Sequence, residues 1–119
     1  MKILVIDDDS AVLKYISEIL KHDGFNVFAT DNGRKAFEQL AQSRDVTVVI
    51  TDLIMPEQEG IEIIKKIKSE YPYIKIVAIS GGGRVSSESY LQLAISFGVD
   101  ATLKKPFGRK ELLNTLQNL

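Results

Sequence analysis

The chain has no cysteine, no tryptophan and a single histidine, His22, among 119 residues. Without cysteine there are no disulfides, thiol nucleophiles or zinc ribbons, and the composition fits a reducing compartment. His22 lies near a helix end with no catalytic neighbour, and reads as a solvated surface side chain. Charge of one sign is also lacking. Fifteen basic residues face sixteen acidic ones, for a net charge of −1. Bulk electrostatics therefore give no reason to expect a nucleic-acid or anionic-membrane partner. No stretch approaches the roughly 18 apolar residues of a membrane span. Linkers, low-complexity tracts and sequence repeats are missing too. What remains, with 45% hydrophobic and 26% charged residues, is ordinary globular composition. The length suits one domain, residues 1–119, with one core. A cytoplasmic α/β domain is the expectation.

Apolar, β-branched segments recur at residues 2–6, 25–29, 46–51, 75–80 and 101–104. Segments with helical spacing separate them. Their apolar stripes are Val12, Ile16, Ile19 and Leu20; Ala36, Phe37, Leu40 and Ala41; Ile61, Ile64 and Ile67; Tyr90, Leu93, Ala94 and Phe97; and Leu112, Leu116 and Leu119. Five alternations of strand and helix imply right-handed crossovers and a parallel sheet covered on both faces. Asp9 or Ser10, Asp31 or Asn32, and Ser86 or Ser87 are suited to cap the first, second and fourth helices. Gly24 and Gly98 follow the first and fourth helices, where a left-handed residue is wanted. Tyr71-Pro72 should end the third. The first, third and fourth strands are nearly all apolar, as central strands are, whereas the second and fifth are mixed. That composition suits the flavodoxin-like order 2-1-3-4-5, with five helices, whose ligand crevice lies between strands 1 and 3.

Acidic residues fall at that crevice. Asp7 and Asp8 end the run Ile3-Leu4-Val5-Ile6, and Asp52 ends the run from Val46 to Thr51. One acidic residue at such a junction is usually a turn former or cap, and Asp9 reads that way. Three carboxylates at two adjacent strand ends are harder to assign to capping, because they cannot all stay ionised without a strong counter-charge. A divalent cation with oxygen ligands resolves the conflict, and a carboxylate beside it is a candidate phosphoryl acceptor. Ser80 closes the fourth strand with a hydroxyl, and Lys105, before Pro106-Phe107, follows the fifth with an ammonium. A cation, a lysine and a neutral donor around a nucleophile are what a phosphoryl group needs. A cis Lys105-Pro106 bond would hold the lysine inward, although X–Pro bonds favour trans. Gly81-Gly82-Gly83 is not a phosphate-binding P-loop, since no Gly-Lys-Ser/Thr follows it.

Together these residues resemble a response-regulator receiver domain over essentially the whole chain. The resemblance is carried by Asp7-Asp8, by Thr51-Asp52-Leu53-Ile54-Met55-Pro56 with Gly60, by Ser80, and by Lys105-Pro106-Phe107. It implies that Asp52 is the phosphoacceptor, and that Asp8, Asp52 and the backbone carbonyl of Ile54 bind Mg²⁺ directly. Asp7 would act through water, while Ser80 and Lys105 would contact phosphoryl oxygens. The donor would be a sensor histidine kinase, a phosphotransfer protein or a small phosphodonor. The readout would pass through the face of the fourth helix, fifth strand and fifth helix to a downstream protein or output domain. Such a module is a signalling phosphoacceptor that assists its own phosphoryl transfer and loss, rather than an enzyme acting on a substrate. No DNA-binding or kinase pattern follows the last helix, which leaves open a stand-alone regulator or part of a longer protein.

Thr102 and Ile54 depart from the family pattern. Thr102 stands where receivers commonly carry an aromatic switch, and a small polar side chain cannot swing between buried and exposed states as a ring does. Leu91 and Ile95 add apolar positions beyond what one half-buried helix needs. They read either as part of a broadly buried helix or as an output or dimer surface. Two other function classes compete. A haloacid-dehalogenase-like phosphatase would use the Asp-x-Asp of Asp7-Asp8-Asp9, but Ala11 replaces its usual threonine or valine, and a late acidic pair is missing. A receiver-like interaction module would never use phosphate, and the intact acidic cluster argues against it. Ile54, apolar and two residues after Asp52, is expected to be unable to orient a hydrolytic water and to shield an aspartyl phosphate. Ile54→Asn should therefore speed loss of phosphate from Asp52, measured as the decay of the phosphorylated protein; an unchanged decay rate refutes this shielding role.

Overall fold

A computed structural model describes residues 2–53, 55, 60–81 and 87–119. The elements are β1 (Lys2–Ile6), α1 (Ser10–His22), β2 (Asn26–Thr30), α2 (Gly33–Gln42), β3 (Val46–Asp52), α3 (Gly60–Glu70), β4 (Lys75–Ser80), α4 (Ser87–Ser96), β5 (Ala101–Lys104) and α5 (Arg109–Gln117). All pairings are parallel, in the order β2-β1-β3-β4-β5. The expected flavodoxin-like topology is thus the one observed. Relative to the sequence reading, β2 is shifted by one residue and β3 extends through Asp52.

The period of two along each strand sorts side chains onto two faces. Ile3 and Val5 of β1 join Val48, Ile50, Val77, Ile79 and Leu103 beneath α1 and α5, which contribute Ile16, Leu20, Leu112 and Leu116. Leu4 and Ile6 point the other way, toward Ala36 and Leu40 of α2, the isoleucines of α3 and Ala94 of α4. One irregularity breaks the alternation. Lys2 pairs with Val46 but Ile3 pairs with Val48, so β3 carries an extra residue there. Val46 and Val48 consequently enter opposite cores, although two residues apart, as a bulge dictates.

Several ends are set as the sequence implied. Asp9 caps α1, accepting from the N–H groups of Ala11 and Val12 at 2.9 and 3.4 Å. Asn32 caps α2 through the N–H of Lys35 at 2.9 Å. Gly24 and Gly98 adopt φ of 91° and 89°, which only glycine enters cheaply. The proposed Ser86 cap lies outside the described residues. Helix α3 buries Ile63 beside the expected Ile61, Ile64 and Ile67. Helix α4 corrects the reading: Leu93, assigned to its buried stripe, is 44% exposed, and Ile95 is 52% exposed. Apolar residues lie on more than one side of this helix, so the sheet covers only some of them. The side chains of Tyr90 and Leu91 lie outside the described residues.

The two layers predict a sharp contrast between isoleucines. Ile50, completely buried, should lose about 3–4 kcal/mol when changed to alanine. Exposed Ile95 should lose no more than about 0.5 kcal/mol, both read from equilibrium urea unfolding.

Candidate functional site

The carboxyl ends of β1, β3, β4 and β5 deliver the site. Ile6 pairs with Thr51 and Ile79 with Asp52, so Asp7 and Asp52 leave neighbouring strands at the same level. One oxygen from each of Asp7, Asp8 and Asp52 lies within 4.8 Å of the others. Asp7 is fully buried, Asp52 is 6% exposed and Asp8 is open to solvent. The donors are all hard carboxylate oxygens, the set that small divalent cations prefer and softer metals do not.

Two of the three carboxylates are held by backbone N–H groups. Asp7 Oδ1 accepts the Asp9 N–H at 2.9 Å, and Asp52 Oδ1 accepts the Leu53 N–H at 2.9 Å. The Thr51 hydroxyl donates to the Asp52 carbonyl at 3.0 Å. Gly60, opening α3, donates its N–H to the Leu53 carbonyl at 2.9 Å. A Cβ at Gly60 would run into the Asp52 carbonyl oxygen and the Leu53 backbone. The acceptor segment can approach α3 this closely only because that residue has no side chain.

Lys105 enters from the other side. Its Nζ lies 3.0 Å from Asp7 Oδ2 and 3.7 Å from Asp52 Oδ2. The first contact is a close ion pair to a fully buried carboxylate. The Lys105 N–H donates to the Ser80 carbonyl at 2.9 Å, and the Lys105-Pro106 bond is cis. Ser80 is 2% exposed, and its Oγ finds no hydrogen-bond partner among the described residues. Five expected side chains, those of Asp7, Asp8, Asp52, Ser80 and Lys105, thus occupy the ends of four strands in one crevice. The Ile54 carbonyl lies outside the described residues, as do Gly82 and Gly83. Thr102 is exposed on β5. Tyr15 was not anticipated. Its hydroxyl donates to the Phe107 carbonyl at 2.9 Å, and in the sequence it is an aromatic between Lys14 and Ile16, off the stripe of Val12, Ile16, Ile19 and Leu20.

Burial and charge oppose each other here. Burial pushes the Asp7 carboxyl above its ordinary range, and the Asp9 N–H and Lys105 only partly offset this. For Lys105, burial works against the charge, but Asp7 and Asp52 outweigh it and raise the ammonium's pKa.

A family model described as the response regulator receiver domain matches residues 3–117. The chain belongs to the response regulator receiver family. The cell cycle response regulator CtrA of Brucella ovis is 30% identical over 113 residues, covering 95% of this chain and 47% of that protein. The chain therefore spans about half the length of such curated relatives. Among solved structures, a receiver domain protein from Clostridium thermocellum superposes with a TM-score of 0.89 at 30% identity, covering 98% of this chain and 91% of that one. The chemotaxis protein CheY4 of Vibrio cholerae gives 0.85 at 29% identity, covering 99% and 98%. The chain is thus a signalling receiver domain of the two-component type, with a carboxylate cluster suited to a divalent cation. Among the described residues no helix is long and apolar enough to cross a membrane.

The raised Asp7 pKa has a consequence of definite sign. An acid whose folded pKa exceeds its unfolded value costs stability above that window and nothing below it. Metal-free Asp7→Asn should therefore melt higher than the parent at neutral pH, with the gap closing as pH falls toward 3.8. Lys105 acts oppositely: its contribution is present below pH 10.5 and lost as pH rises through its folded pKa. Thermal melts across pH, without divalent ions, check both.

Proposed function

We propose that residues 1–119 form one receiver domain whose Asp52 accepts a phosphoryl group from a sensor histidine kinase, a phosphotransfer protein or a small acyl phosphate. The observation that carries this reading is the placement of Lys105 Nζ against both Asp7 and Asp52, at 3.0 and 3.7 Å. Among the described residues one lysine is shared by two of three clustered carboxylates, a setting suited to a further cation. Asp7, Asp8 and Asp52 would hold Mg²⁺, with the Ile54 carbonyl as the family's remaining protein ligand. When bound, Mg²⁺ supplies charge neutralisation for the transferred group.

In the reaction an Asp52 carboxylate oxygen attacks phosphorus in line with the leaving atom. The new O–P bond forms as the donor's N–P or O–P bond breaks, and the bonding pair leaves with the donor. The product is an aspartyl phosphate. The Lys105 ammonium lies against the charge gathering on the phosphoryl oxygens, and the buried Ser80 hydroxyl supplies a donor to them. The Leu53 N–H keeps the other Asp52 oxygen oriented. Ser80 would then draw in the Gly81-Gly82-Gly83 loop and shift a pre-existing equilibrium at the face of α4, β5 and α5. Exposed Leu93 and Ile95 are apolar groups on which a downstream protein or output domain could read that shift. Leu91, expected on the same surface from its sequence position, has its side chain outside the described residues. The setting proposed is cytoplasmic, with no direct nucleic-acid or membrane contact.

Site mapping by mass spectrometry after incubation with acetyl phosphate and Mg²⁺ tests the assignment. Phosphate should appear on Asp52 alone and vanish in Asp52→Asn, while Lys105→Ala should slow its uptake by roughly 10²-fold. Label on Asp7 would favour the dehalogenase-like chemistry. No label, together with no beryllofluoride binding, would favour a phosphate-independent module.

A further inference from the structure

Lys105 sits on the connection between β5 and α5, so its position depends on what fixes that connection. At its near end the Lys105 N–H is tied to the Ser80 carbonyl. The far end is tied to α1. Tyr15 donates its hydroxyl to the Phe107 carbonyl at 2.9 Å across 92 positions of sequence. The two rings also lie 6.1 Å apart and inclined by 55°, within the range of favourable aromatic pairs. Phe107 itself is 8% exposed and packs in the core beneath α1 and α5. Only Pro106, with its restricted φ, separates Phe107 from Lys105.

Tyr15 is 44% exposed, so core packing alone does not account for it. It stands on the helix that opens directly after Asp7 and Asp8 and is capped by Asp9. One side chain thereby joins the segment carrying two of the carboxylates to the segment carrying their counter-charge. We propose that Tyr15 is a positioning residue, which holds the 105–108 connection to α1 and so keeps the Lys105 ammonium at Asp7 and Asp52. This deepens the phosphoacceptor reading and rests on it for the role of Lys105. Misplacing a charged group by about 1 Å can cost as much as 10²-fold in rate. Losing one neutral hydrogen bond, with the ring kept, is worth about five-fold.

The test uses the full chain, Tyr15→Phe, Lys105→Ala and the double variant. Amide hydrogen exchange followed by NMR should be about five-fold faster at Lys105 in Tyr15→Phe, with Leu4 and Val49 unchanged. Uptake of phosphate from acetyl phosphate should fall about five-fold, and adding Tyr15→Phe to Lys105→Ala should produce no further loss. Unchanged exchange at Lys105 overturns the proposal. So does equal acceleration at all three amides, or a loss that adds in full to that of Lys105→Ala. Faster exchange confined to Lys105, in a parent chain that takes no phosphate on Asp52, supports the tether and overturns the phosphoacceptor reading instead.

Discussion

Mutual repulsion among Asp7, Asp8 and Asp52 is the constraint on which the rest of this molecule depends. Three carboxylate oxygens lie within 4.8 Å of one another, and among the described residues the Lys105 ammonium lies 3.0 and 3.7 Å from two of the acids. Water could screen such a cluster, but Asp7 is fully buried, so the screening is weak where the charge is densest. The fold is stabilised elsewhere, by two apolar layers on a five-stranded sheet, and it carries the cluster as a local cost. That cost gives the site its chemistry. A crevice that is unfavourable when it holds only its own charges gains most from admitting a cation or from a change in charge at Asp52.

Backbone geometry keeps the repulsion from relaxing. Asp7 and Asp52 extend β1 and β3 at matched register, so neither can move away without breaking a central ladder. The Leu53 N–H and the Thr51 hydroxyl fasten the acceptor residue on two sides. Gly60 lets α3 press directly on its carbonyl. The extra residue near the start of β3 lies at the opposite end of the strand, so the register needed at the site is intact where it matters.

Most of this frame was legible because it depends on local pattern. Continuous apolar runs mark β1, β3 and β4 as central, and acids at the ends of β1 and β3 mark the crevice. Ser80 and Lys105 follow from position at strand ends. What was illegible depends on rotation and long-range contact. Helix α4 carries apolar residues around its circumference, so spacing alone did not show that Leu93 faces out while Ala94 faces in. The Tyr15–Phe107 hydrogen bond joins residues 92 apart, and no periodicity encodes it. Thr51 looked like one more β-branched strand residue, because its hydroxyl acts on the next residue's carbonyl rather than on the sheet.

How a signal leaves the site without an aromatic at position 102 is then a question of where a phosphoryl group finds a differential interaction. A group that interacts equally with two arrangements shifts nothing, however tightly it is held. Exposed Thr102 offers no such difference. Ser80 does, because its buried hydroxyl is unpartnered among the described residues, and a buried polar group in that condition costs roughly 1–3 kcal/mol. Donating to a phosphoryl oxygen would recover that cost in one arrangement and not in the other, a bias of roughly 5–150-fold. The same residue's carbonyl receives the Lys105 N–H. The two groups proposed to meet the phosphate are therefore joined through one ladder hydrogen bond at the ends of β4 and β5. In the proposed function, movement of either would bear on the edge strand β5, a route that does not call on a swinging ring at residue 102.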